Sequence, residues 1–413
     1  MNISRGLNDL LPDEVLRRRF LENKISQIFS QWGYREIIIP TFEFYEILSQ
    51  GSGLIMKKEM IKFFDREGNI VVLRPEMTKS IARLVSTKMQ LEPRPLRLYY
   101  IGNVFRYDNK AGSQKEFCQA GVELIGINNN KSDAEIIALA VECLKNSGLK
   151  NFCIDINHVN FFNGIMESIK VKEERKQEIK NAILNKDFVL LEKILSFEDI
   201  KDREKEFILK IPTLRGGKEI LIEAEKMVDN KLSLSALKKI EEVYSLLRDY
   251  GLEEYILIDL GIIRNYDYYT GIIFEGYTDY LGFPVCGGGR YDNLCSKFGE
   301  NLPSTGFAIG IERLATILEK EDVNSLKIKM PDKYLVYYQN NKNYFQKAMI
   351  LANKFREKGA IVELEIGGKK FEETLNYARY YKMDYILVVE NNESNKIKRI
   401  ETISGNEENI TYE

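Results

Sequence analysis

The chain has 413 residues, 44% of them hydrophobic and 11% aromatic, enough to bury a sizeable core; a peptide, a fibrous protein and a disordered chain are excluded. Sixty basic residues against 62 acidic ones leave a formal charge of −2, without the basic excess of a protein that lives mainly on nucleic acid. No run approaches about 18 consecutive apolar residues, and no apolar core follows Met1 to Arg5, so a soluble, cytoplasmic chain with no membrane partner is expected.

The elements follow in order. Apolar positions recur at three and four over residues 13 to 32 (Leu21, Ile25, Ile28, Phe29), which predicts a helix stopped by Gly33. Tyr34 to Pro40 reads as a strand whose end avoids a ladder bond. Phe63 to Leu73, turning at Asp65 and Gly68, is β-rich, and Arg97 to Tyr107 pairs with Glu116 to Gly126 as a long antiparallel hairpin. A helix over residues 132 to 147 and a strand from Asn151 to Asn157 precede a Lys/Glu-rich helical insertion, about 160 to 250, with helices at Lys170 to Lys186, Leu190 to Phe207 and Leu232 to Leu247. β character returns at Tyr255 to Tyr277, Gly282 to Tyr291 and Phe307 onward, the last running into a helix up to Leu318. From residue 330 strand and helix alternate: strand Tyr334 to Tyr338, helix Tyr344 to Lys358, strand Ile361 to Ile366, helix Phe371 to Lys382, strand Tyr385 to Glu390. The expected organisation is a core over residues 1–325 carrying the insertion, then a small α/β domain over 330–413.

Five cysteines, an odd number with no pair two apart, give neither a disulfide framework nor a zinc knuckle. A single histidine, His158, removes most metal sites and the histidine-dependent triads, so neither metal nor cofactor is expected. In its apolar neighbourhood His158 reads as a packed residue. Gly51-Ser52-Gly53 lacks the lysine and hydroxyl of a phosphate loop, and no dinucleotide fingerprint appears.

Alternation along the returning hairpin strand puts Gln119, Gly121 and Glu123 on one face. An amide, a hole and a carboxylate would cradle a small polar ligand carrying positive charge, although a solvated hairpin face gives the same pattern. Arg264 to Gly271 and Gly287-Gly288-Gly289-Arg290-Tyr291-Asp292 bring a tyrosine cluster, three glycines and an arginine that, if buried, demands an anionic partner. A hairpin turn and a packed sheet account for any one of these alone. Gly306 to Leu314 opens a helix with Glu312-Arg313 after spaced glycines, and that arginine can stack on a base or grip phosphate.

Taken together, the helix, the strand ending in Pro40, the Arg106 hairpin and the Gly306 to Arg313 segment resemble the three motifs of class II aminoacyl-tRNA synthetases, in that order. Arg5-Gly6, Leu73-Arg74-Pro75-Glu76-Met77-Thr78, Gln119 to Gly126, Arg264 with Asp267-Tyr268-Tyr269, and Gly288-Gly289-Arg290-Tyr291-Asp292 are similar to the histidyl-tRNA synthetase branch, over residues 1 to about 395. The resemblance implies an α+β fold: a class II synthetase-like core with an antiparallel sheet flanked by helices, a helical insertion and a small C-terminal α/β domain, degenerate relative to an anticodon-binding domain. Met77 where synthetases place Gly, together with Gly102 to Tyr107, His158 to Phe162, Leu214-Arg215-Gly216-Gly217, Tyr269 to Ile272 and Leu302 to Phe307, resembles the branch's non-catalytic regulatory paralogues.

At the hairpin tip, Asp108 to Glu116, Ser113 stands where synthetases have an arginine and Lys115 replaces a second. Bidentate gripping of phosphate is thereby lost, and adenylation rests on that grip. Glu76, Arg106, Arg264 and Glu312-Arg313 are kept, as an active histidyl-tRNA synthetase would keep them and as a chain that only binds histidine would too. For the regulatory paralogue the resemblance implies no catalytic residue of its own and L-histidine as effector. Glu76, Thr78 and Gln119 would lie at the α-amino group, Arg106 and Arg264 at the carboxylate, and Glu123, Tyr268, Tyr269 and Tyr291 around the imidazole. Arg313 would be a residual nucleotide-site position. The implied partner is a short-form ATP phosphoribosyltransferase catalytic subunit, assembled with a homodimer of this chain into a hetero-oligomer. In the last domain Glu363, Glu365, Glu372 and Glu373 counter Lys369 and Lys370, which argues against tRNA.

Overall fold

The computed structural model describes residues 3–50, 54–107, 114–263, 268–321, 328, 330–339, 342–390 and 396–411. Two compact units divide the chain, Met1–Leu326 and Lys327–Glu413.

The first helix, Pro12–Gln31, begins on a proline that needs no partner for its missing N–H, and the Glu14 carboxylate accepts the Leu11 N–H at 2.7 Å. It buries Leu21, Ile25, Ile28 and Phe29 and ends before Gly33, whose φ of +81° lets the chain reverse. The expected strand from Tyr34 to Pro40 is shorter. Only Arg35–Glu36 pairs, in parallel with Leu98 and Tyr99, and Ile37 adds one bond to the Tyr99 carbonyl. The reason is Arg74, whose guanidinium takes the carbonyls of Ile39 and Pro40 at 2.6 and 3.2 Å and draws this segment off the ladder.

The main sheet has nine strands in the order Arg35–Glu36, Leu96–Phe105, Glu116–Ile125, Ser304–Gly310, Cys286–Arg290, Ile272–Tyr277, Cys153–His158, Ile256–Asp259, Arg215–Gly216. Its pairs are antiparallel except for Arg35–Glu36 with Leu96–Phe105 and Cys153–His158 with Ile256–Asp259. Alternation decides what each face does. Cys118, Ala120, Val122, Leu124, Phe307 and Ile309 point into the large core shared with the helices Pro12–Gln31, Asn130–Ser147 and Ile311–Glu321. On the other face Leu98 and Tyr100 pack with Met77, Ile81 and Val85 around the helix Thr78–Lys88, which leaves Gln119, Gly121 and Glu123 facing the space between them.

A separate three-stranded sheet, Phe42–Phe44, Ile70–Leu73 and Lys62–Phe64, leaves Phe42, Phe44, Phe63, Phe64 and Ile70 exposed. In the insertion, helices at Val159–Ser168, Glu173–Leu184, Phe188–Ser196, Asp202–Lys210, Glu219–Glu225 and Lys231–Asp249 pack on the large core. The single helix expected from Leu190 to Phe207 is two, because each half carries its own start. Asp187 caps the first by accepting the Leu190 N–H at 2.9 Å, and Glu204 accepts the Lys201 N–H at 3.2 Å ahead of the second.

The second unit is a five-stranded sheet, Ile361–Leu364, Lys333–Tyr338, Tyr385–Val389, Lys396–Glu401, Glu407–Thr411, parallel among the first three and antiparallel beyond. Helix Lys342–Glu357 packs on one face of this sheet and Phe371–Tyr380 on the other. Its last two strands were not expected from the sequence. Among the described residues no helix is long and apolar enough to cross a membrane.

Candidate functional site

The hairpin, the Ser304–Gly310 strand and the loop before Thr78–Lys88 enclose a cavity of about 120 Å³. Its floor is built from small residues, because Gly121 pairs with Ala308 and Gly306 with Glu123 across the ladder. A Cβ on Gly306 would collide with the Glu123 carboxylate, so the carboxylate occupies the space that a side chain would fill.

Glu76, Thr78, Arg106, Gln119, Glu123, Tyr268, Tyr269, Tyr291 and Arg313 all line this cavity. The sequence therefore scatters over more than 230 positions what the sheet brings together. Arg264 lies outside the described residues, as do Asp267 and the hairpin tip from Asp108 to Ser113. Lys115 stands 5.2 Å over the Tyr107 ring and does not line the cavity.

Glu123 is 2% exposed and accepts the Tyr291 hydroxyl proton. Burial pushes its carboxyl up to about 8, against the Tyr291 and Thr78 hydroxyls that hold it down; the neighbouring Glu76 adds to the rise. Glu76 is 5% exposed and sits before the Thr78–Lys88 helix, where it accepts the N–H groups of Thr78 at 2.8 Å and Lys79 at 3.1 Å. Burial raises Glu76 as well, opposed by Lys79 and those N–H groups. The Thr78 hydroxyl stands within hydrogen-bond reach of both carboxyls. Two carboxyls thus share one small cavity, Glu76 supported by two backbone amides and the Thr78 hydroxyl, Glu123 by the Tyr291 and Thr78 hydroxyls.

Arg106 is fixed by stacking 4.8 Å over the Phe117 ring and by donating to the Pro75 carbonyl at 3.4 Å. Arg313 donates to the Pro284 carbonyl at 2.8 Å and stands 4.7 Å over Phe283. The Tyr268 ring meets Tyr291 edge-on at 5.9 Å and Tyr269 at 4.9 Å, forming an aromatic wall beside Glu123. The lining offers carboxyls that suit an ammonium or N–H group, tyrosine rings that suit a flat ring, and in Arg106 a cation that suits an anionic end.

Tyr100 and Phe117 line the cavity and were missed in the sequence; Tyr100 stands opposite Gly121 in the hairpin register, so the alternation that selected Gln119 and Glu123 also carries it. Arg290 does find its anionic partner, but inside the chain, in Asp133. His158 is buried at the start of Val159–Ser168, as a packed residue should be, and its Nδ1 also caps that helix by accepting the Asn160 N–H at 3.1 Å. The five cysteines are free. Among the described residues no group of three or more His, Cys, Asp and Glu could hold a metal ion.

Fold and cavity together define a class II synthetase-like protein, and a profile of the family described as Histidyl-tRNA synthetase matches residues 6–314. A crystal structure of an ATP phosphoribosyltransferase regulatory subunit/histidyl-tRNA synthetase from Bacillus halodurans superposes with a TM-score of 0.83 at 30% identity, covering 95% of this chain and 99% of that one. Histidyl-tRNA synthetase from Nostoc sp. shares the fold with a TM-score of 0.83 at 20% identity, over 100% of this chain and 97% of that one. The ATP phosphoribosyltransferase regulatory subunit of Acetivibrio thermocellus is 39% identical over 397 residues, 96% of this chain and 94% of that protein. The chain belongs to the ATP phosphoribosyltransferase regulatory subunits, a histidyl-tRNA synthetase-like family of histidine biosynthesis.

Proposed function

We propose that this chain acts as the non-catalytic regulatory subunit of a short-form ATP phosphoribosyltransferase and that its cavity binds L-histidine as the feedback signal. The observation that carries the histidine reading is the pair of buried carboxyls, Glu76 and Glu123, lining one cavity with Arg106 and an aromatic wall. A zwitterionic amino acid with an imidazole side chain matches that arrangement. Its α-amino group meets Glu76, Thr78 and Gln119, its carboxylate meets Arg106, with Arg264 added by the family resemblance alone, and its ring N–H groups meet Glu123 between Tyr268, Tyr269 and Tyr291. Feedback then requires histidine to favour the inactive assembly, with a coupling of roughly 1 to 3 kcal/mol.

Phosphoribosyl transfer from PRPP to ATP belongs to the catalytic partner. The hairpin tip supports this division, because Ser113 and Lys115 replace the arginine forks that adenylation needs. The exposed Phe42, Phe44 and Phe63, which the strand register puts on one side of the small sheet, form an apolar face that supports a homodimer within the hetero-oligomer.

The test measures ATP phosphoribosyltransferase activity of a short-form catalytic subunit alone, with this chain, and with this chain plus histidine. Activation that histidine reverses is the expected result. No effect of the chain, beside histidine-dependent ATP–pyrophosphate exchange by the chain alone, would overturn the reading in favour of a synthetase.

A further inference from the structure

A second cavity, of about 130 Å³, lies where the strand Cys153–His158 runs into the helix Val159–Ser168. Its apolar walls include Val159, Phe162, Ile262 and Ile273, and its polar side holds His158 and Lys180. A cavity of about 150 Å³ accepts a molecule the size of benzene, so this one has room for a compact ligand of a few heavy atoms.

Among the described residues that line this cavity, His158 carries a polar atom with no partner. Its Nδ1 accepts a backbone N–H, so Nδ1 presents its lone pair and the single proton of the neutral ring sits on Nε2. The residue is 2% exposed, and Nε2 is buried without a hydrogen-bond partner. A buried N–H left unmade is costly, and the residue that carries this one lines the cavity. Asn157 cannot be that acceptor: its amide donates to the Leu260 and Ile262 carbonyls and its oxygen already takes the His158 N–H.

Burial first, then the cationic Lys239 and Arg290, push the imidazole down to about 3, so the ring stays neutral and acts as an N–H donor. Asn163 is exposed and Lys180 half-buried, which places the polar mouth of the cavity at the surface.

We propose that this cavity is a binding site for a small monocarboxylate with a compact apolar body, one carboxylate oxygen accepting the Nε2 proton of His158 and Lys180 neutralising the charge. The apolar body packs against Phe162, Ile262 and Ile273. Tyr269 lines this cavity and the first one, so an occupant here touches a wall of the other pocket. The assignment stands whether or not histidine is the ligand of the first cavity.

The chain holds one histidine, so labelling with ¹⁵N-histidine gives the two nitrogen signals of a single imidazole ring in the full-length protein. The free chain is expected to show a neutral ring protonated at Nε2. Titration with isobutyrate should move the Nε2 resonance saturably, whereas isobutyramide, matched in shape but uncharged, should bind at least about tenfold more weakly. Lys180→Gln should weaken isobutyrate about two- to fivefold, as loss of a partly exposed ion pair does. Glu123→Gln, which cripples the first pocket, should leave the isobutyrate shift unchanged. His158→Asn keeps a residue that caps helices well, so the fold survives, and equilibrium dialysis of that variant should show isobutyrate binding lost. The proposal is overturned by a shift that never saturates or is matched by sodium chloride, by equal binding of isobutyramide, or by retained binding in His158→Asn.

Discussion

Arg290 and Tyr291 are neighbours in the chain, yet they serve two opposite solutions to the problem of burying charge. Arg290 uses its whole guanidinium inside the protein. Its Nε reaches the Asp133 carboxylate at 3.0 Å, Nη1 reaches Asp292 at 3.0 Å and the Ile127 carbonyl at 3.2 Å, and Nη2 reaches Ser132 Oγ at 2.6 Å and the Asn129 carbonyl at 3.4 Å. Tyr291 instead supports Glu123, a buried carboxyl whose named partners are hydroxyls. The first network is closed and is structural; the second is left open toward a cavity, and a ligand can close it. Buried charge alone therefore does not mark a site. What marks it is an ionisable group that burial holds in its neutral form beside a space, where an arriving cation can take the place of the proton.

The largest effect falls on the closed network. Arg290→Met should cost about 3 to 5 kcal/mol in urea unfolding, because Asp133 is left buried without its counter-charge. A loss under about 1 kcal/mol would mean that Asp133 reaches water and that the two networks differ less than described.

Glu123→Gln should behave the other way. Below the unfolded glutamate's value of about 4.3, where the carboxyl is protonated folded and unfolded, global stability should change by about 1 kcal/mol or less, while histidine affinity in calorimetry falls at least about thirtyfold, near 2 kcal/mol. Unchanged affinity would remove Glu123 from the ligand's surroundings.

A third difference appears in pH. The folded chain holds the Glu123 proton to about 8, whereas an unfolded glutamate releases it near its ordinary value of about 4.3. Folding thus takes up a proton between those limits, so this contribution to stability is full below the lower one and is lost as pH rises through about 8. The wild-type chain should lose up to about 1.4 kcal/mol per pH unit relative to Glu123→Gln across that window. Parallel stability profiles for the two proteins would refute the raised carboxyl. Tyr291→Phe should have the smallest effect, a loss of about 1 kcal/mol with the Glu123 titration moved further upward, read by the same pH series.

The long hairpin was legible because antiparallel strands repeat every two residues, and that alone put Gln119, Gly121 and Glu123 on one face. The strand from Tyr34 to Pro40 was overread: nothing local reveals that Arg74 claims the carbonyls of Ile39 and Pro40. The strands Lys396–Glu401 and Glu407–Thr411 were missed, since their charged alternation suits a protected sheet edge as well as a loop. The motifs of the cavity stood out through resemblance, but their convergence depends on pairings such as Glu123 with Gly306. Arg290 was singled out, and its partner was not, because Asp133 lies 157 residues away.

Glu76 does two jobs with one carboxylate, holding the amides of Thr78 and Lys79 at the start of a helix and facing the cavity. A cationic group arriving from the cavity competes for the same oxygens. If the proposed ligand occupies the cavity, its occupancy is read in the solvent-exchange rates of those two amides, which hydrogen–deuterium exchange follows without an added probe.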